Sequence, residues 1–161
     1  MELKGKDILV IGLGKTGVAA AQFAALRGAA VTVTDEKPEA DLREALGALA
    51  GLPLRVVAGS ADPALVAGRD LVVPSPGVPP FNPLIREAER RGIPVVSEVE
   101  LAFRFLRVPV IAITGTNGKT TVTTLVGRIL ERAGKRAFVG DRKSTCLNSS
   151  HTIQSRMPSS A

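Results

Sequence analysis

Tryptophan and tyrosine are absent from these 161 residues, and phenylalanine occurs only 5 times. A surface that stacks unpaired bases needs aromatic rings interleaved with a basic stripe. The chain has few rings, and its basic residues are scattered among acids, as in Arg86-Glu87-Ala88-Glu89-Arg90-Arg91. Nucleic acid is therefore not an expected partner, despite a net charge of +6. A moderate positive excess equally suits an enzyme that collects anionic nucleotides. Cysteine and histidine occur once each, as Cys146 and His151, both beyond Gly140. The body up to Gly140 thus has no thiol and no imidazole, which excludes a zinc site or a cysteine nucleophile there. No apolar run approaches the roughly 18–20 residues of a membrane-spanning helix. Met1–Asp7 holds no apolar signal segment either. The expectation is a cytoplasmic, monomeric protein with no membrane partner.

What the chain does have is a small-aliphatic core vocabulary. Ala, Val and Leu dominate a hydrophobic content of 45%, which suits closely packed α/β layers. The style breaks after Gly140. Residues 141–161 are serine-rich, keep no helical or strand period, and read as a foreign or disordered tail. Neither Cys146 nor His151 is given a role.

Upstream of that tail the pattern alternates strand and helix. Strands are expected at Asp7–Ile11, Val31–Thr34, Leu54–Val57, Asp70–Val73 and, briefly, Val95–Val96. Helices are expected at Thr16–Arg27, Asp41–Leu49, Pro63–Ala67, Pro83–Arg91 and Glu98–Phe105, with Gly28 and Gly92 as stops. The strands are continuous apolar runs, as in a sheet covered on both faces. The fold class is a Rossmann-like, doubly wound parallel α/β sheet over residues 1–107. A second β-loop-α unit begins at Val108. A strand at Val108–Ile113 leads through a loop to a helix with Val122, Leu125, Val126, Ile129 and Leu130 on one face. Ala137–Val139 reads as its next strand. About 33 residues do not bury a domain-sized core, so residues 108–140 are expected to be the start of a P-loop ATP-binding domain.

Two glycine-rich loops carry the chemistry. Gly115-Thr116-Asn117-Gly118-Lys119-Thr120-Thr121 departs from a full Walker A because Ile113 stands where the first glycine belongs. It keeps the Gly-Lys-Thr core. Backbone N–H groups there wrap an anion, Lys119 reaches terminal phosphate oxygens, and the Thr120 hydroxyl is placed to ligate Mg²⁺. ATP and Mg²⁺ are the expected cofactors. Gly12-Leu13-Gly14-Lys15-Thr16-Gly17, followed by Asp35 at the end of the second strand, fits a dinucleotide fingerprint. A NAD-binding module or dehydrogenase is one reading of it, and a tight strand-to-helix turn without ligand is another. Ser75-Pro76-Gly77 falls at the carboxyl edge of the sheet, where Ser75 is able to bond a phosphate or sugar and Gly77 to take a positive φ. A plain turn is the competing reading. Ser97 and Glu100 form the spacing of a capping box, so Glu98 and Glu100 are assigned no catalysis.

Taken in order, Gly12–Gly17, Ser75-Pro76-Gly77-Val78, Ser97-Glu98-Val99-Glu100-Leu101 and Ile113–Thr121 resemble the Mur ligases of peptidoglycan synthesis. The likeness covers residues 1–140. Lys15-Thr16-Gly17 favours the D-glutamate-adding branch over the L-alanine-adding one. The resemblance implies an ATP-dependent amide-forming ligase acting through an acyl phosphate, with UDP-N-acetylmuramoyl-L-alanine and D-glutamate as partners. It implies that the first domain binds the UDP end of the substrate, with Thr16 at the diphosphate, Asp35 at the uracil, and Gly14 and Lys15 also substrate-binding. Ser75, Pro76 and Gly77 would line the same pocket. Gly115, Thr116, Asn117, Gly118, Lys119 and Thr121 would then hold ATP, with Thr120 on Mg²⁺ and Lys119 and Thr120 carrying the catalysis. The family continues past Gly140 with a Gly-Asn-type turn where Asp141-Arg142-Lys143 stands here. Its later metal-binding residues and amino-acid-binding domain have no counterpart in this chain, which alone is expected to be inactive.

Overall fold

The computed structural model describes residues 2–140; the serine-rich stretch 141–161 lies outside the described residues. The chain divides into two compact units, with the boundary between Arg107 and Val108.

In the first unit, β1 (Asp7–Ile11), β2 (Ala30–Asp35), β3 (Leu54–Ala58) and β4 (Leu71–Pro74) form one sheet in the order β3-β2-β1-β4. Every pairing is parallel, with Val10 opposite Val33 on one side and Val73 on the other. The expected strand at Val95–Val96 shrinks to a single parallel bridge from Val95 to Val72, flanked by two main-chain hydrogen bonds.

Strand alternation explains the layering. Ile8 and Val10 face one side and pack with α1 (Lys15–Ala25), α2 (Arg43–Leu49) and α4 (Glu98–Phe103). Leu9 and Ile11 face the other side, towards α3 (Pro83–Arg90) and a 3₁₀ turn at Pro63–Val66. Helices cover both faces of a parallel sheet, which is the doubly wound class. Helix α1 sits close to the sheet because it buries only small residues, Gly17, Ala20, Ala21, Ala24 and Ala25.

Helix α4 ends at Phe103, two residues short of the expected Phe105. Phe105 turns instead against Phe23 of α1, edge to face with ring centroids 5.2 Å apart. The Arg27 guanidinium lies 3.5 Å from the Phe23 centroid and completes a cation–π clamp. The Ser97 hydroxyl accepts from the Glu100 N–H as expected, but Glu100 turns its carboxylate to Arg104. The side-chain half of the capping box is therefore replaced by an i,i+4 ion pair.

On α3 the Glu87 carboxylate accepts from Arg90 at 2.7 Å and Arg91 at 2.5 Å. The hydrogen bonds from Arg90 and then Arg91 lower its pKa from 4.5 to about 2. The folded value lies below the unfolded one, so the pairs stabilise the folded chain above pH 4.5 and lose that contribution as pH falls towards 2. Glu87→Gln is accordingly expected to lower the melting temperature at neutral pH. Melting curves taken at successively lower pH are expected to show the gap from the parent closing across that window.

The second unit holds α5 (Lys119–Arg132). The strands expected at Val108–Ile113 and Ala137–Val139 do not form among the described residues. A strand exists only by pairing its N–H and C=O groups with a neighbour, and no strand of this unit pairs with either segment among the described residues. Val122, Leu125 and Ile129 remain exposed on α5. Gly127 is buried beneath Val139, where an added Cβ would come within 2.4 Å of Val139 Cγ2.

Candidate functional site

Strand order places the first site. The chain winds from β1 outward through β2 to β3, then returns to lay β4 on the opposite side of β1. The loops after β1 and β4 therefore diverge at their carboxyl ends and open a crevice between them. A cleft of about 470 Å³ lies there, lined by Gly12, Gly14, Thr16, Asp35, Ser75, Pro76 and Gly77 among others. Seven residues singled out in the sequence thus share one cleft. Lys15 lines a neighbouring depression that also reaches Gly14 and Asp35.

The glycine loop is built for close approach. Gly12 takes φ +88 and donates its N–H to Thr34 O at 2.7 Å. Gly14 is the N-cap of α1 with extended backbone and no side-chain cap. The first-turn N–H groups of α1 therefore have no intrahelical acceptor and form the positive end of the helix dipole. Gly17 faces the loop so closely that a Cβ there would lie 1.9 Å from Gly12 O.

Ser75 is 8% exposed, and its hydroxyl donates to Gly12 O at 2.8 Å. The hydroxyl proton is thus directed at the glycine loop, tying the β1 and β4 loops together, rather than towards a ligand. Ser75→Ala is expected to cost about 1 kcal/mol by stripping a partner from a partly buried carbonyl; denaturant unfolding measures it. Gly77 corrects a second expectation. It is not among the positive-φ residues, and a Cβ on it would meet nothing within 4 Å. The turn closes through Val78 N–H donating to Ser75 O at 2.9 Å, a geometry that makes no demand for glycine.

Asp35, at the end of β2, uses both carboxylate oxygens on the main chain. Oδ2 accepts from Leu13 N–H at 2.7 Å and Oδ1 from Lys37 N–H at 2.9 Å. Sequence reasoning missed Glu36, Ser60, Val78 and Asn82, which line the same cleft. Asn82 is 4% exposed, caps α3 by accepting from Leu84 N–H at 2.9 Å, and donates to Glu36 Oε1 at 3.2 Å. The one signal available for Asn82 was its place directly before Pro83, a helix-start pattern.

In the second unit, Gly118 stands at the N-cap of α5 in the left-handed region, φ +75. Gly115 also has positive φ, +151, so both loop glycines adopt backbones that side chains resist. Lys119, the first residue of α5, folds back over the loop. Its ammonium donates to the carbonyls of Gly115 and Thr116, the latter at 3.1 Å. Thr116, Asn117, Thr120 and Thr121 are exposed around it. The Thr123 and Thr124 hydroxyls are committed to the carbonyls of Lys119 and Thr120, at 2.7 and 2.9 Å. Among the described residues there is no cluster of three or more His, Cys, Asp or Glu side chains.

A crevice at the sheet's topological switch point, with a helix N-terminus and glycine loop on its floor, is where doubly wound α/β domains take their ligands. Residues 6–97 match the family model described as Mur ligase MurD-like, N-terminal domain. This chain belongs to the Mur ligase family. Residues 113–158 match the Mur ligase middle domain, a span that runs past Gly140 into the serine-rich stretch. The chain is 54% identical over 140 residues to the UDP-N-acetylmuramoylalanine–D-glutamate ligase of Geobacter metallireducens, covering 87% of this chain and 31% of that protein. It is 54% identical over 150 residues to the ligase of the same name from Anaeromyxobacter dehalogenans, covering 91% and 32%. The chain thus spans about a third of the length of the curated relatives it matches. Among solved structures, the UDP-N-acetylmuramate:L-alanyl-gamma-D-glutamyl-meso-diaminopimelate ligase from Neisseria meningitides superposes with a TM-score of 0.50 at 26% identity, over 81% of this chain and 40% of that one.

Proposed function

We propose that this chain is the nucleotide-binding portion of an ATP-dependent ligase that joins D-glutamate to UDP-N-acetylmuramoyl-L-alanine. The observation that carries the reading is the convergence of Gly12, Gly14, Thr16, Ser75 and Gly77 on one cleft at the switch point, in a chain about half identical to ligases named for that reaction. The N-terminus of α1 offers its N–H groups and dipole to the UDP diphosphate, with Lys15 and Thr16 at the same helix end. Asp35 holds the loop in shape from behind, and Ser75 locks it to the β4 turn.

Residues 1–107 are the substrate-binding domain in this reading, and the segment from Val108 begins the ATP-binding domain. The loop Gly115–Thr121 fits a triphosphate. Gly118 turns the chain so that the α5 N-terminus meets the loop, and Lys119 reaches into it. Phosphate oxygens would replace the two carbonyls that Lys119 now contacts, and Thr121 adds a hydroxyl at the helix start. Thr120 would be the protein ligand to Mg²⁺, with phosphate oxygens and water supplying the rest of its shell. Bound Mg²⁺ neutralises charge on the transferred phosphoryl group. The muramoyl-alanine carboxylate would attack the γ-phosphorus of ATP, giving an acyl phosphate as ADP leaves; the D-glutamate amine would then attack the acyl carbon, losing a proton as phosphate leaves and the amide forms. Lys119 serves this by positioning and charge neutralisation.

The ligase is further proposed to act as a cytoplasmic monomer. No helix among the described residues is long and apolar enough to cross a membrane.

Calorimetric titration of the chain tests the substrate reading. Heat with UDP-N-acetylmuramoyl-L-alanine and none with NAD is expected; the opposite pattern would restore the dehydrogenase-type reading of Gly12 and Asp35.

A further inference from the structure

The wall of the cleft follows the order of the strands. The sheet runs β3-β2-β1-β4, and the lining residues come from the loop after β2, then Gly12 and Gly14 after β1, then Ser75 to Pro79 after β4. That last loop carries an aromatic ring the core does not use. Phe81 is 66% exposed and belongs to neither hydrophobic cluster. Pro79, two residues before it, and Asn82, directly after it, both line the cleft, so Phe81 stands at the rim. The backbone is fixed on either side. Val78 N–H donates to Ser75 O and Asn82 N–H to Pro79 O, each at 2.9 Å. Asn82 is 4% exposed, and its Oδ1 accepts from Leu84 N–H at 2.9 Å. Pro79, Pro80 and Pro83 stiffen the same stretch. A ring displayed on so rigid a loop loses little freedom when a ligand packs against it.

With the uracil at the end of β2 and the diphosphate on the α1 N-terminus that follows β1, a ligand continuing along the strand order reaches the β4 loop next. The group it brings there is the one beyond the second phosphate, the N-acetylmuramoyl ring. A pyranose presents a face of C–H groups and this one an acetamido methyl, surfaces that a flat apolar ring covers well. We infer that Phe81 packs against the N-acetylmuramoyl group and so distinguishes the muramoyl nucleotide from UDP alone. The inference rests on the cleft being the nucleotide site proposed above, and adds to it a residue that reads the sugar end.

The test is calorimetric titration of the full chain with UDP and with UDP-N-acetylmuramoyl-L-alanine. Phe81→Ala is expected to weaken binding of the muramoyl nucleotide about tenfold while UDP affinity stays within about twofold of the parent. Phe81→Trp keeps a flat ring and is expected to retain the parental preference. The chain has no tryptophan, so that variant carries a single indole, whose emission is expected to shift with the muramoyl nucleotide and not with UDP. Phe81 is exposed, and unchanged melting curves for its variants verify that the fold is intact. Equal losses for both ligands in Phe81→Ala would make the ring a support of the loop and overturn the inference. Full parental affinity for the muramoyl nucleotide in Phe81→Ala also overturns it and leaves the cleft reading standing. Failure of the folded parent to bind either ligand overturns both.

Discussion

Gly17→Ala is expected to lower the melting temperature of the chain by on the order of 5–20 °C, from a packing cost of about 1–3 kcal/mol or somewhat more. The reason is steric and local. A Cβ at this position would lie 1.9 Å from Gly12 O and 2.5 Å from Ser75 Oγ. Neither neighbour yields cheaply. Gly12 O is main chain, and Ser75 Oγ is the donor that ties the β4 loop to that same carbonyl. Relief requires α1 to lift from the sheet, which parts the small-residue face of Ala20, Ala21 and Ala24 from the strands beneath. Gly47→Ala is the matching control. Gly47 lies within α2, has no positive φ, and its added Cβ would meet nothing within 4 Å. That change is expected to stabilise by about 0.4–1 kcal/mol through the unfolded chain. Thermal unfolding of both variants separates a packing glycine from an incidental one. A Gly17→Ala variant that melts with the parent would show that the loop and helix are not in this close register.

The contrast between these two glycines shows what was legible in the chain and what was not. Strand and helix positions in the first unit were readable because each element declares itself locally, by a run of β-branched residues or by a stop such as Gly28. The switch-point cleft was readable because parallel winding forces the first and fourth strand ends together. What the residues do inside the cleft depends on pairings that only the topology makes. Asp35 carried the spacing of a dinucleotide-fingerprint acid, and nothing local showed that its carboxylate would also accept the Leu13 and Lys37 amides. Asn82 and Glu36 are 46 residues apart, and nothing local links them. Gly77 looked like a residue chosen for positive φ, and its backbone asks for none. In the second unit the helix was legible from its own period. Val108–Ile113 and Ala137–Val139 were read as strands on composition alone, and composition supplies no pairing partner.

Lys119→Ala carries the largest expected effect on chemistry. In a complete ligase bearing this loop, kcat is expected to fall about 10²–10³-fold, equivalent to about 3–4 kcal/mol of lost transition-state stabilisation. Lys119 is the first residue of α5, directly after a left-handed Gly118. That turn brings the α5 N-terminus to the loop while the side chain doubles back to the Gly115 and Thr116 carbonyls. On the proposed reading the ammonium lies near where transferring phosphoryl oxygens would develop charge, and it meets them by exchanging its two carbonyl partners for phosphate oxygens. Lys119→Arg keeps the charge on a longer, planar group that does not fit the same fold-back, so it is expected to recover only part of the rate. Steady-state kinetics with ATP varied distinguishes the roles. A fall in kcat that exceeds any rise in KM places the lysine at the transferring group. A rise in KM alone reduces it to a ground-state contact, and less than a tenfold loss of kcat would remove it from the transferring phosphate altogether.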